Sequence, residues 1–197
     1  DTLFLCSNIV IGVNLLDLFF SNTLNIDHLY IDSMKVDIMK SENDDLNNIN
    51  YILSKLSSFN QDILLSHFNI NELIIEHNNY FVENISLSTN LFQIKKDYLN
   101  IENIKLSKDN SLINAHCHIS NNLIEIDIQD SYLQNIDSSL YINNIPLLSD
   151  NNKIDFSSLI SMSPDSITGT SLVKYGYSIL DLYFVKNKNS NNISINY

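Results

Sequence analysis

The chain has 197 residues, 44% of them hydrophobic, which suffices for one large domain or two small ones with a substantial core. Its formal net charge of -12, from 11 Lys and Arg against 23 Asp and Glu, argues against a nucleic-acid or anionic-membrane surface, because both recruit cations. With only 3 Gly and 2 Pro, the turns fall to Asn, Asp and Ser, and Asn tolerates left-handed backbone better than most residues.

Alternation at Leu5, Ser7, Ile9, Ile11 and Val13 predicts a first strand over 3–13, with Cys6 on the face opposite Ile9. Asn14 is placed to cap a short apolar helix from Leu15 to Phe20, read as a buried connector. Leu24 and Ile26, then Leu29 and Ile31, then Met34, Val36 and Ile38 follow the two-residue period of a half-buried strand. That period slips at Asp27-His28 and again at Asp32-Ser33. Each slip would turn the apolar side outward unless a bulge or corner absorbs one residue. From Leu46 the period becomes helical, with Ile49, Ile52, Leu53 and Leu56 on one face. Ser41, Asn43, Asp44 and Asp45 supply start signals and Lys55 suits the last turn.

The slipped pattern, apolar-x-apolar-x-x-apolar-x-apolar, returns at Phe68 to Ile75, Tyr80 to Leu87, Leu99 to Leu106 and Leu140 to Leu147. The spacing is irregular, so it marks a repeated structural solution and not a repeat of fixed length. Between the copies lie plain alternating strands at Ile113 to Ile119 and Ile124 to Ile128, with Asn121-Asn122 as the hairpin turn between them. The segment Phe156 to Met162 is ambiguous. Leu172 to Val185 is apolar on both alternating sets and reads as a strand that is either covered on both faces or in contact with a neighbour. A polar turn over 187–192 precedes a last strand at Ile193, Ile195 and Tyr197.

Little in the chain points to catalysis. His116 and His118 share one face of a strand, but no partner has metal-ligand spacing, so they are read as solvent-facing. Glu125 and Asp127 alternate with isoleucines and point outward. No phosphate loop, nucleophile elbow or HExxH occurs. Cys6 and Cys117 are read as two buried thiols, with a bridge between them as the alternative. No cofactor and no metal are expected, and the chain is read as not an enzyme.

The expected fold is mainly β with one or two short helices. Residues 1–60 would form a strand-helix-strand-helix cap, and 61–197 would carry the repeated strands. The apolar strand surface exceeds what one helix can cover. Either two sheets close as a β-sandwich, or a curved antiparallel sheet leaves its apolar face as an elongated groove for an acyl chain. The candidate lining is Leu29, Ile31, Val36 and Ile38 on the second strand, and Ile70, Leu73 and Ile75 on the next pattern copy. Ile85, Leu87, Ile101, Ile104 and Leu106 follow, then Ile113, Ile124 and Ile126 on the plain strands.

The order of segments Asp1 to Phe4, Ile9 to Phe19, Leu24 to Ile38 and Asn47 to Leu53 resembles the N-terminal region of the AsmA-like family, in particular its TamB-type members. The first third of the chain carries the resemblance, and the remainder shares only its style. Ser21-Asn22 and Asp44-Asp45-Leu46 stand where the family often has Gly. The resemblance implies a periplasmic segment of a Gram-negative envelope protein, held to the inner membrane by an N-terminal anchor upstream of Asp1. It also implies a role in phospholipid transport or outer-membrane assembly, with acyl chains and an outer-membrane barrel assembly protein as partners. A scaffolding β module that binds such a partner through an edge strand is the alternative.

Overall fold

The computed structural model describes residues 2–14, 17, 23–38, 45–77, 80–134, 141–142, 145–146, 153–187 and 190–196. The chain opens with β1 (Thr2–Val13) and β2 (Thr23–Ile38), then α1 (Asp45–Ser57). Next come β3 (Asp62–Leu65), β4 (Phe68–His77), β5 (Tyr80–Thr89), β6 (Leu91–Lys95), β7 (Tyr98–Lys108), β8 (Ser111–Ser120) and β9 (Leu123–Gln134). The short pair β10 (Tyr141–Ile142) and β11 (Ile145–Pro146) stands apart. The strands β12 (Lys153–Met162), β13 (Ser166–Tyr175), β14 (Ser178–Asn187) and β15 (Ser190–Asn196) close the described chain.

All but β10 and β11 join one 13-stranded curved sheet that does not close into a barrel. Two of its lines are made end to end. Ile26 faces Leu65 and Leu29 faces Phe68, so β3 and β4 follow β2 in one unbroken register. Likewise β5 and β6 run on in one register along β7, with Ser88 opposite Lys105 and Leu91 opposite Glu102. The lateral order is therefore β1, β2, β3 with β4, β5 with β6, β7, β8, β9, β12, β13, β14 and β15.

The pairing is antiparallel except where β2 meets β3 and β4, which run parallel to it. A parallel neighbour needs a crossover, and α1 lies in the connection from β2 to β3. The expectation of a purely antiparallel sheet is corrected there. Within 1–60, β1 and β2 belong to this common sheet, and α1 lies in the connection from β2 to β3.

Several of the phase slips are bulges with an Asn or Asp at the extra residue, whereas at Asp32-Ser33 both neighbours follow the slip and the register runs on unbroken. Among the described residues the non-glycine positions with positive φ are Asn8, Asn84, Asp97, Asn103, Asp109, Asn121, Asn122 and Asp130, all of them Asn or Asp. Asn121 and Asn122, at φ 50° and 63°, form the expected two-residue hairpin turn. Asn84, Asn103 and Asp130 sit at register shifts within β5, β7 and β9. At the β1–β2–β4 slip, Asn8 Nδ2 and Asn71 Nδ2 both donate to the Asp32 carboxylate, at 3.2 and 3.5 Å.

Several expectations are revised. Leu172 to Val185 is not one strand but the end of β13 and most of β14, because Gly176 takes φ 57° and turns the chain at Gly176-Tyr177. Phe156 to Met162 is a full strand in β12. Strand β15 begins at Ser190, inside the segment read as a turn. The last copy of the slipped pattern is not one strand, since Ile142 pairs with Ile145. Cys6 shares a face with Ile9, because the left-handed Asn8 between them shifts the phase. Cys6 stands opposite Met34 and Ile9 opposite Ile31, both inward residues. Cys6 is also exposed, not buried, and both thiols are free. The proposed helix over Leu15 to Phe20 and the start signals Ser41, Asn43 and Asp44 lie outside the described residues, apart from Asp17, which accepts a 2.7 Å hydrogen bond from Asn25 Nδ2.

Candidate functional site

Directly paired residues in a sheet share a face, so register alone shows which side chains line up. One row runs Val13, Ile26, Leu65, Phe92, Ile101 and Cys117, each opposite the next. It continues through Ile126, Ile160, Gly169 and Phe184. A Cβ on Gly169 would overlap the Phe184 ring, so this glycine lets the aromatic lie across its own strand. A second row links Ile9, Ile31, Ile70, Leu87, Leu106 and Ile113. The result is one apolar face that crosses the sheet.

That face is covered unevenly. On α1, Ile49, Leu53 and Leu56 are buried together with Ile119 and Ile124, and Ile94, Leu99, Ile126, Met162 and Ile167 pack round them. The helix thus closes one end of the face. A second cluster centres on Ile31, Ile70 and Leu73, and among the described residues none of α1 packs on it. Beside it opens a cavity of about 540 Å³ lined by Ile75, Val82, Ile85, Leu106, Ile113 and Leu133, with Ser107, Lys108, Asp109, Ser111 and Gln134 among its polar lining. The size and the apolar lining with a few polar groups are those of a small-molecule site.

The expected lining residues divide accordingly. Leu29, Ile31, Val36, Ile70, Leu73, Ile75, Ile85, Leu87 and Leu106 gather in the second cluster, and Ile113 joins the cavity. Ile124 and Ile126 lie instead in the cluster under α1. Ile101 and Ile104 face Cys117 and Ala115 between the two clusters. Of Ile38 the backbone is described, paired with Thr2. Leu133 was missed, because Asp130 shifts the phase of β9 and the inward position after it holds Ser131, which breaks the apolar pattern. Ser131 is 1% exposed, accepts Asn114 N–H at 2.9 Å and donates to the Gln129 carbonyl at 3.0 Å.

The opposite face carries the polar groups. His116 pairs with Asp127 and His118 with Glu125, while Cys117 turns to the apolar side. His118 Nε2 lies 3.0 Å from Ser120 Oγ, and its ring meets Tyr98 edge-on at 5.2 Å. Lys35 bonds Glu76 at 2.5 Å, and that hydrogen bond raises its pKa. Burial pushes the Cys117 thiol up as well. Among the described residues no group of three or more His, Cys, Asp or Glu is arranged to hold a metal, and no helix is long and apolar enough to cross a membrane.

Fold and site together define an open, curved β-sheet with one apolar face, closed by a helix at one end and carrying a cavity away from it. No protein-family model, curated protein or solved structure matches the chain.

Proposed function

We propose that the chain is a non-enzymatic lipid-handling segment that shields acyl chains along its apolar face, of the kind its resemblance to AsmA-like proteins implies for the cell envelope. The observation that carries this reading is the cavity between Ile75, Val82, Ile85, Leu106, Ile113 and Leu133, which opens on the part of the face that α1 leaves uncovered. Each buried methylene contributes about 0.8 kcal/mol, so such a surface retains an acyl chain without specific polar contacts. Lys108, beside Asp109, is the one cation among the described residues of the cavity lining and offers a headgroup little to select on.

The test is native mass spectrometry, with organic extraction, of the chain produced in a bacterial periplasm. Phospholipid should co-purify near stoichiometrically. It should fall by about tenfold or more in Val82→Arg, where a charge enters the cavity wall unpaired. Val82 is 40% exposed and so accepts the change without unfolding, whereas Ile70, at 4%, does not offer that control. A lipid-free, monodisperse protein sinks the reading in favour of a scaffold that engages an outer-membrane assembly partner.

A further inference from the structure

Strand β1 is an edge protected by neither charge nor proline, and its one left-handed residue, Asn8, is matched in register by β2. Among the described residues it pairs with β2 alone, so one side of its backbone presents unmatched N–H and C=O groups. Natural edges are blunted by charge, Pro, shortness, a bulge or a covering helix or loop. Thr2–Val13 has 12 residues and contains no Asp, Glu, Lys, Arg or Pro, in a chain of net charge -12. Its apolar residues are half-exposed on both faces: Leu5 56%, Ile9 53%, Val10 52% and Ile11 55%. Another strand is the partner that matches such an edge along its whole length, because a helix or a lipid supplies no ladder of hydrogen bonds.

The phase shift at Asn8 restricts which strand that can be. On one side of it Cys6 stands on the inward face and Leu5 outward; on the other, Ile9 stands inward and Val10 outward, opposite Met34, Lys35, Ile31 and Tyr30 respectively. A partner without a matching shift would set its inward side chains against outward ones past Asn8. Strand β2 matches with its own slip at Asp32-Ser33. The far edge, β15, keeps one unbroken register with β14 and has no shift to offer, which disfavours a head-to-tail chain of copies.

Strand β1 itself does match. Laid antiparallel on a second β1 with Cys6 opposite Ile9, it keeps inward residues against inward ones on both sides of Asn8, and Leu5 meets Val10 on the outer side. We infer that β1 is the interface for a second copy of this chain, paired antiparallel in that register about a two-fold axis. Such an isologous contact closes on itself, and it joins the two sheets with their apolar faces on the same side. The inference does not depend on the lipid reading, since an edge pairs whether or not the face binds lipid.

Register-specific cross-linking tests it, in a Cys117→Ala background so that Cys6 is the native thiol that remains. Ile9→Cys should give a disulfide-linked dimer on mild oxidation, with peptide mapping joining Cys6 to the substituted position of the other copy, because directly opposed Cβ atoms lie within disulfide reach. Neither Val10→Cys nor the unsubstituted parent should cross-link comparably. Sedimentation velocity of the native chain should show a dimer that salt strengthens, since both copies are acidic. Val10→Lys should make it monomeric with an unchanged circular dichroism spectrum. A native chain that stays monomeric at its highest soluble concentration overturns the inference. So does equal cross-linking from positions 9 and 10, or a dimer indifferent to Val10→Lys.

Discussion

Asn84, Asn103 and Asp130 each hold a positive φ, of 59°, 53° and 44°, where a strand takes up an extra residue. A side chain that cannot relieve this backbone costs about 1–2 kcal/mol per residue. Asn103→Val should therefore lower stability by about that amount, whereas Asn103→Gly should change it by a few tenths, as read from denaturant midpoints. Gly169 makes the complementary case. Gly169→Ala should cost about 1–3 kcal/mol by overpacking against Phe184, and most of that cost should vanish in a Phe184→Ala background. The thiols differ in a checkable way too. Cys6 is exposed and Cys117 is held protonated by burial, so iodoacetamide should label Cys6 far faster, with the difference lost in denaturant. The use of Asn for left-handed backbone was legible in the scarcity of Gly. Which Asn would shift a strand's phase was not, and for that reason Cys6 was assigned to the wrong face.

At the scale of elements, α1 does two jobs. It carries the chain from β2 back to a parallel neighbour, and its Ile49, Leu53 and Leu56 close one end of the apolar face. Leu53 is 8% exposed, so Leu53→Ala should cost about 2–5 kcal/mol through the cavity it leaves. Hydrogen exchange should then speed up in α1 and at Ile119 and Ile124 before it does in β1 and β2. Equal acceleration throughout would mean that the helix is not a separable cover. The helix was legible because its apolar residues recur at three and four positions. It also signalled the parallel pairing, since a strand, a helix and a strand in sequence favour a crossover, but the surrounding alternation resembles hairpins and masked it. The turn at Gly176-Tyr177 was missed for a related reason. Apolar residues continue at every second position through it, and only the single Gly interrupts them.

Across the whole molecule, the repeated slips keep one side of the sheet apolar while the strands bend, so that Ile31, Ile70, Leu87 and Leu106 stay in one row despite bulges in β4, β5 and β7. The sequence pattern therefore reported the continuous apolar face correctly. It could not report closure, because a sandwich and an open groove bury the same alternating positions and differ only in what lies opposite them. The open sheet makes a demand on any ligand that residue-level chemistry does not. With an apolar cavity of about 540 Å³ and Lys108 as the one cation among its described lining residues, affinity should follow chain length and not headgroup. In displacement of a fluorescent fatty acid, each added methylene should tighten binding by about fourfold until the cavity is filled, following the transfer energy of a buried CH₂. Exchanging a zwitterionic for an anionic headgroup at constant chain length should change it little. Affinity that tracked headgroup charge, or fell steeply with added salt, would mean that the polar face and not the apolar one does the binding.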